Sequence, residues 1–325
     1  MPSSKADPLL FVDPVFQQRV WGGDTLRQWF GEEATGSATV GEAWVISGLP
    51  GMAGTIRGGS AAGMTVDEAW RAGLVTGSQR SDDFPLLVKF LDAAEWLSVQ
   101  VHPDDGQAER IEGQPRGKSE CWYVVEGRPD AELVVGHEGD EQGMRRALGG
   151  GRVDELLIRH RVEPGDFFMV PAGTVHAVGA GVVVYEVQQS SDTTYRLYDY
   201  ERLGLNGQPR QLHVDKALSV MDSPFDHAAS ETAESGEAIP GGSRRLLVED
   251  PHFTVTEYVV TGRLGADASD DYCLGSVVAG RGTVSCRGPE TVAGPGTSFI
   301  CPRGAGPLTF DGDMIVVVTT PGPLA

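Results

Sequence analysis

The sequence has little positive charge. Against 46 Asp and Glu it contains only 26 Lys and Arg, which gives a formal net charge of −20. A protein that binds nucleic acid or an anionic membrane surface needs a basic face, so the sequence predicts neither partner. An anionic small molecule is not excluded, because a few focused cations can hold one phosphate in an otherwise acidic protein.

Cysteine and long apolar runs are also scarce. The four cysteines form no CxxC pair, and three of them lie in the C-terminal part, without the dense framework of a secreted disulfide protein. No run of 18 apolar residues occurs, and the N-terminus MPSSKADPLL lacks the basic-then-apolar pattern of a signal peptide. These absences favour a reduced, cytoplasmic location.

Turn-forming residues, by contrast, are abundant. The 325 residues include 44 Gly and 20 Pro, and 40% of the chain is hydrophobic. This composition, with short apolar runs between Gly turns, predicts a mainly β fold of barrels or sandwiches rather than βαβ units. A few short helices are predicted, with caps at Asp24 and Thr65 and helical composition over 140–157. The polar segment 103–119 is predicted to be a loop.

Two parts of the chain resemble each other. Residues 165–176 and 296–307 both read G-x5-P-x-G, and VVEGR at 124–128 resembles VVAGR at 277–281. A duplicated β-barrel is the physical interpretation. The last position of the first segment is His176, whereas Pro307 ends the second copy, so only the first copy keeps a polar group there.

An acidic segment separates the two copies. Residues 222–243 are small, acidic and poor in aliphatic side chains, which is typical of a linker. The sequence therefore predicts a first region over 1–221, which carries the polar site, and a second, degenerate domain over 244–325.

Polar side chains line one face of a strand at residues 97–102. Ser98, Gln100 and His102 alternate with two valines, so an extended strand points all three polar groups to the same side. Glu120 begins the next β-like run and adds a carboxylate. A metal or substrate site is one interpretation of this set; a surface histidine and a surface glutamate are the other.

A second histidine follows a turn motif. The pattern Gly165-x5-Pro171-x-Gly173-x2-His176 resembles a signature of the cupins, jelly-roll barrels that often hold a metal. The alternative is a histidine at a strand start with a local hydrogen bond. With His102 and Glu120, His176 would complete a set of two imidazoles and one carboxylate that suits Zn²⁺ and other divalent first-row metals. Gln100 offers a fourth ligand.

The polar run from Tyr185 to Asp199 is the other unusual segment. In a barrel, its hairpin would bring Glu186 and Arg196 towards the same mouth. On composition alone, a polar surface hairpin is the simpler interpretation.

These motifs together resemble the type I mannose-6-phosphate isomerase family in its short bacterial form. The matching segments are Trp21–Gly23, Gly41–Trp44, Leu97–Asp104, Gly117–Trp122, Val170–His176 and Gln189–Arg196. The resemblance implies two cupin-like jelly-roll barrels with a few short helices. It also implies an enzyme that interconverts mannose 6-phosphate and fructose 6-phosphate.

The resemblance also implies roles for individual residues. The metal ligands of one Zn²⁺ per chain would be Gln100, His102, Glu120 and His176. The catalytic residues would be Arg196, Glu186 and Lys118. The substrate-binding residues would be Trp21, Glu42, Ser98 and Arg210.

The residue types suit aldose–ketose isomerisation. The reaction moves a proton between C2 and C1 through an enediol, so it needs a base, stabilisation of negative charge and a grip on the phosphate. A metal and Arg196 can supply the stabilisation; the sequence does not choose the base.

Two other functions compete with this one. One is a non-catalytic cupin that senses a sugar phosphate, which the presence of Arg196, Glu186 and Lys118 disfavours. The other is a metal-dependent cupin oxygenase. Such enzymes commonly bind iron with three histidines and one glutamate, whereas this chain has Gln100 where the third histidine would be. A monomer or homodimer is expected.

Overall fold

The chain was analysed as a computed structural model that describes residues 9–75, 81–222, 236–266 and 269–324. Within these ranges it is mainly β, as predicted. The strands are β1 (Leu10–Asp13), β2 (Val15–Gln17), β3 (Glu42–Ile46), β4 (Thr55–Arg57), β5 (Leu86–Ala93), β6 (Val99–Val101), β7 (Glu120–Gly127), β8 (Glu132–His137), β9 (Leu157–Arg161), β10 (Phe167–Val170), β11 (His176–Val178), β12 (Val182–Gln189), β13 (Tyr195–Tyr198), β14 (Glu237–Ile239), β15 (Gly242–Glu249), β16 (Phe253–Val260), β17 (Arg263–Gly265), β18 (Cys273–Ser285), β19 (Thr291–Ala293), β20 (Ser298–Cys301) and β21 (Thr309–Pro321).

The helices are short. They are α1 (Thr25–Phe30), α2 (Glu32–Thr35), α3 (Val66–Arg71), α4 (Asp105–Glu112), α5 (Glu141–Gly149) and α6 (Val214–Val220), with 3₁₀ turns at Gly59–Ala61 and Val153–Leu156. None of these described helices combines the length and the apolar character needed to cross a membrane.

The chain divides into two compact units that are interleaved along the sequence. The first takes residues 1–15, 44–89 and 232–325, and the second takes residues 16–43 and 90–231. The predicted domain boundaries at 221 and 244 are therefore not the only way to divide the chain. Residues 223–235 of the predicted linker lie outside the described residues, and its last part is a hairpin of β14 and the start of β15.

The second unit carries the strands that bear the candidate site residues. A five-stranded sheet has the order β13-β6-β11-β8-β9, and β10, β7 and β12 are neighbours in that order in another sheet. The first six residues of β7 are buried. Trp122 and Val124, which share one face of this strand, pack in the same core as Leu133 and Val184. This core contains residues of β7 and β11, and a second core contains the two valines of β6, next to the polar side chains.

The first unit is built on one antiparallel sheet of ten strands. Its main path is β14-β15-β16-β21-β18-β20-β1-β4, with β17 paired to β21 and β19 to β18. The N-terminal strand β1 pairs with β20, so Leu10 lies opposite Ile300. Its core contains Phe299, Phe310, Val277 and Tyr258.

The strand register reproduces the internal resemblance seen in the sequence. Val170 lies opposite Glu120, and at the corresponding place in the other unit Cys301 lies opposite Cys273. The pairing of β7 with β12 and that of β18 with β21 each skip one residue, and the skipped residues, Val125 and Val278, correspond. A β-bulge at the same position supports a duplicated unit. Closure of each copy into a jelly-roll barrel stays a prediction.

Two local predictions were right and one was wrong. Helix α3 begins with the predicted capping box, in which Thr65 and Glu68 exchange hydrogen bonds with each other's backbone N–H groups. The segment 140–157 is helical on both sides of its Gly-rich break at 149–151, as predicted, with α5 ending at Gly149. The segment 103–119 is not simply a loop, because Asp104 and Gln107 form a second capping box and begin α4. The turn-rich composition concealed this helix start.

The carboxylate at the start of α1 comes from a distant strand. Asp24 occupies the predicted cap position, but its side chain binds Arg27 instead. Asp92 of β5 accepts hydrogen bonds from the backbone N–H groups of Thr25 and Leu26, at 2.6 and 3.2 Å. Burial raises the pKa of Asp92 to about 6, and the two N–H donors offset only part of that effect.

The raised pKa of Asp92 predicts a pH-dependent stability. Because the folded pKa lies above that of an unfolded aspartate, this group stabilises the fold at low pH and the contribution is lost as the pH rises to about 6 and beyond. The unfolding free energy of Asp92→Asn minus that of wild type is expected to increase by on the order of 2 kcal/mol from about pH 4.5 to about pH 7. Urea unfolding of both proteins at the two pH values measures this. An equal difference at both pH values would contradict it; exposed Asp24→Asn is the control.

Candidate metal and substrate site

Three of the predicted metal ligands converge at the ends of their strands. His102 follows β6, Glu120 begins β7 and His176 begins β11, where it lies directly opposite Gln100. One ligand atom from each of His102, Glu120 and His176 lies within 4.8 Å of the others, and all three side chains are buried. The structure thus brings His176 next to His102 and Glu120, which lie more than fifty positions earlier in the sequence.

Main-chain carbonyls orient both imidazoles. The Nδ1 atom of His102 lies 2.9 Å from the carbonyl oxygen of Thr193, and that of His176 lies 2.8 Å from the carbonyl oxygen of Thr174. A carbonyl only accepts, so Nδ1 carries the proton in both rings and each Nε2 keeps its lone pair. Burial, and next the Lys118 cation, lower the pKa of His176 to about 3, so the ring is neutral.

Glu120 lies between the two imidazoles. Its Oε2 atom is 3.6 Å from Nε2 of His102, and its Oε1 atom is 3.5 Å from Nε2 of His176. Lys118 donates to Glu120 and lies 2.9 Å from Nε2 of His102. Burial alone would lower the pKa of Lys118, but the carboxylates of Glu120 and Glu186 raise it above its ordinary value, so the residue is a cation.

Gln100 connects the metal-type ligands to the predicted catalytic arginine. Its amide nitrogen is 3.2 Å from Nε2 of His176, and its amide oxygen is 3.4 Å from the hydroxyl of Ser98. A half-turn of the amide exchanges the two atoms and would turn the oxygen towards His176. Ser98 in turn accepts a hydrogen bond of 3.2 Å from Nε of Arg196.

Arg196 is held by the loop that follows it. Its Nη1 atom donates to the carbonyl oxygen of Gln211 at 2.8 Å. Burial, and next the cation of Arg210, lower the pKa of Arg196, although an arginine stays protonated at any relevant pH. The side chain therefore presents a fixed positive charge close to Ser98.

Glu186 lies in the same region, on β12. It is buried and accepts a hydrogen bond of 3.0 Å from the indole N–H of Trp122. Its charge contributes to the pKa shifts of both Lys118 and His176. The interpretation of residues 185–199 as a polar surface hairpin is therefore wrong for Glu186, which is buried.

Two predicted substrate-binding residues, Trp21 and Glu42, have structural partners of their own. Trp21 is 3% exposed and packs in the core with Trp122. Glu42 is buried and forms an ion pair of 2.8 Å with Arg19, yet its charge also acts on Lys118. Contact of these two residues with a substrate stays a prediction.

Arg210 also has a structural partner. It forms a two-point ion pair with the carboxylate of Asp199, at 2.6 Å from its Nε atom. The same carboxylate accepts a hydrogen bond of 2.8 Å from Arg202. Asp199 therefore balances much of the positive charge of both arginines, and a phosphate contact by Arg210 stays a prediction.

Sequence reasoning gave no role to several residues that orient the site. Trp122 lies two residues after Glu120, so the strand period places both side chains on the same face, and this spacing could have identified it. The carbonyl groups of Thr174 and Thr193 leave no such signal, because any residue type supplies a carbonyl.

The donor set fits a divalent transition metal. Two neutral imidazoles with inward lone pairs, one carboxylate and one amide are ligands that Zn²⁺ accepts. The ammonium of Lys118, which contacts both Glu120 and His102, shows that this group of side chains accommodates a cation. The site could therefore hold a metal ion.

Comparison with known proteins identifies the family. The model of the phosphomannose isomerase type I catalytic domain matches residues 9–125, and that of the mannose-6-phosphate isomerase cupin domain matches residues 244–321. The probable mannose-6-phosphate isomerase GmuF of Bacillus subtilis is 38% identical over 96% of this chain and 99% of its own. The mannose-6-phosphate isomerase of Streptococcus mutans is 37% identical over 97% of this chain and 98% of its own.

A solved structure gives the same result. The crystal structure of the mannose 6-phosphate isomerase from Bacillus subtilis superposes with a TM-score of 0.90 at 35% identity, covering 96% of this chain and 99% of that one. With similarity over nearly the full length of both sequence and fold, the chain belongs to the type I phosphomannose isomerase family.

Proposed function

We propose that this chain is an aldose–ketose isomerase that interconverts mannose 6-phosphate and fructose 6-phosphate through an enediol. The observation that carries the proposal is the connected group of side chains described above. It places the cations of Arg196 and Lys118 at either end of a set of metal-type ligands, with the carboxylate of Glu186 nearby. A non-catalytic sensor would have no need for these three groups in one site.

The proposed cofactor is one Zn²⁺ per chain, held by His102, Glu120 and His176 with Gln100 as the fourth ligand. When bound, the metal would act as a Lewis acid that polarises a sugar oxygen. The chain's part is to hold the imidazoles through the carbonyl groups of the protein, so that little reorganisation is needed.

The remaining residues are proposed to handle charge and protons. Arg196 stabilises the negative charge that develops on the enediolate oxygens. An ammonium has no lone pair, so Glu186 is the better candidate for the base and Lys118 for the proton donor. Ser98, hydrogen-bonded to Arg196, is proposed to contact the substrate, together with Trp21, Glu42 and Arg210. The cytoplasmic location and the choice between monomer and homodimer stay predictions.

A coupled assay tests the proposed function. Purified protein supplied with mannose 6-phosphate is expected to form fructose 6-phosphate, detected through phosphoglucose isomerase and a dehydrogenase, and to contain about one zinc per chain. Unphosphorylated mannose is the matched control substrate and is expected to react far more slowly. Protein that contains zinc and binds mannose 6-phosphate but does not convert it would support the sensor instead.

A further inference from the structure

The first unit contains a cavity that the proposed reaction does not use. Its volume is about 490 Å³, within the range of small-molecule sites. Strands β14, β15, β16, β18 and β21 supply most of its wall. Its polar lining residues include Arg244, Arg245, Thr254, Thr256 and Thr320.

The cavity lies where the duplicated unit would have its own metal site. Cys273 corresponds to the metal-type ligand Glu120, because each lies opposite the matching residue of its neighbour strand. By the pairing of β21 with β18, Val318 corresponds to Glu186. Leu308 follows Pro307, which stands in place of His176. At the positions that can be matched, the groups of Glu120, His176 and Glu186 are absent, and the cavity lies beside their counterparts.

The charges at the cavity are balanced in pairs. Arg244 forms an ion pair of 2.7 Å with Glu237, and Arg245 forms one of 2.9 Å with the buried Glu257. A phosphate group needs cations that carboxylates have not already neutralised. The balance favours an uncharged ligand.

The other lining groups are hydroxyls beside an apolar wall. Thr254 and Thr256 alternate along β16 and share one face, and Thr320 lies directly opposite Thr254. Tyr258 and Val318, both nearly fully buried, supply apolar surface next to them. Such a lining offers hydrogen bonds to hydroxyl groups on one side and contact with C–H groups on the other.

We propose that this cavity is a second binding site for a neutral, hydroxyl-rich molecule of sugar size, such as an unphosphorylated hexose. The arginine–glutamate pairs present donors and acceptors together, which matches a hydroxyl that both donates and accepts. The second copy of the fold thus binds sugar without a metal and without a phosphate.

Methyl NMR of the full chain tests the proposal directly. Threonine and valine methyl groups are labelled, and D-mannose or inorganic phosphate is titrated in separate samples. D-Mannose is expected to shift the methyl signals of Thr254, Thr256 and Thr320 along a saturable curve, whereas phosphate leaves them in place. No saturable shift of these signals, or saturation by phosphate at a lower concentration than by D-mannose, would overturn the proposal.

A conservative variant adds a second measurement. Thr320→Val keeps the shape of the side chain and removes its hydroxyl, so the Kd for D-mannose at this cavity is expected to rise roughly 3- to 10-fold. Thr309→Val, on the same strand but outside the lining, is the matched control and leaves the Kd unchanged. Both variants are expected to keep wild-type isomerase activity. Equal Kd values for Thr320→Val and Thr309→Val would contradict the role of the hydroxyl.

Discussion

Removal of the metal with a chelator is expected to lower the isomerase activity at least about 100-fold, and addition of Zn²⁺ is expected to restore it. The proposed reaction develops negative charge on a sugar oxygen, and loss of one strong electrostatic stabiliser typically costs 10²–10³ in rate. Lys118 donates to Glu120 and lies 2.9 Å from Nε2 of His102. The buried carboxylate is thereby compensated, so the chelated protein is expected to remain folded.

The measurement pairs activity with metal content and circular dichroism. Mg²⁺ serves as the matched control ion, since it prefers oxygen ligands in octahedral geometry and suits a site with two imidazoles poorly. It should restore little activity, while Zn²⁺ restores most. Full activity in protein with no measurable divalent metal would contradict the proposed role of the site, and unfolding on chelation would contradict the compensation by Lys118.

Replacement of Arg196 by alanine is expected to lower kcat by about 10²–10³-fold while the zinc content stays near one per chain. The side chain of Arg196 contacts Ser98 and the Gln211 carbonyl, and neither of these is a proposed metal ligand. The loss should therefore fall on the chemical step more than on metal binding. Arg196→Lys is expected to recover only part of the rate, because an ammonium cannot make both contacts in the geometry of the guanidinium.

Steady-state kinetics and metal analysis of both variants check this prediction. Arg161→Ala is the matched control. This arginine lies in the same unit, and both side chains of its ion pair with Asp130 are exposed to solvent. It should leave kcat and KM unchanged, as expected for a surface ion pair. An Arg196→Ala variant with normal zinc and wild-type kcat would remove Arg196 from the catalytic residues. A loss of zinc along with activity would instead make it a residue that positions the ligands.

The metal-type ligands could be predicted from the sequence because each is marked by a local pattern. Gln100 and His102 follow the period of a strand, Glu120 opens the next β-like run, and His176 ends a turn motif that recurs in the chain without its histidine. The capping box at Thr65 is local in the same sense. These features depend on neighbours within a few residues, which is the distance over which a single sequence is informative.

Other features depend on contacts that no local pattern encodes. Asp24 has the residue type and position of a helix cap, but Asp92 of a distant strand takes that role. Arg210 has the charge for a phosphate contact, but the structure pairs it with Asp199. In both cases, tertiary packing decides between two groups of suitable chemistry. The interleaved units follow from packing as well, since β1 and β20 carry no mark of their pairing.

The pairing of β1 with β20 has a consequence for the order of events during synthesis. Leu10 leaves the ribosome long before its partner Ile300, because the two residues are 290 positions apart in the sequence. The sheet of the first unit therefore cannot be completed until Ile300 has emerged, and such long-range contacts form slowly. The edge of β1 that pairs with β20 therefore stays unpaired until then, and an unpaired strand edge is a place where chains associate wrongly.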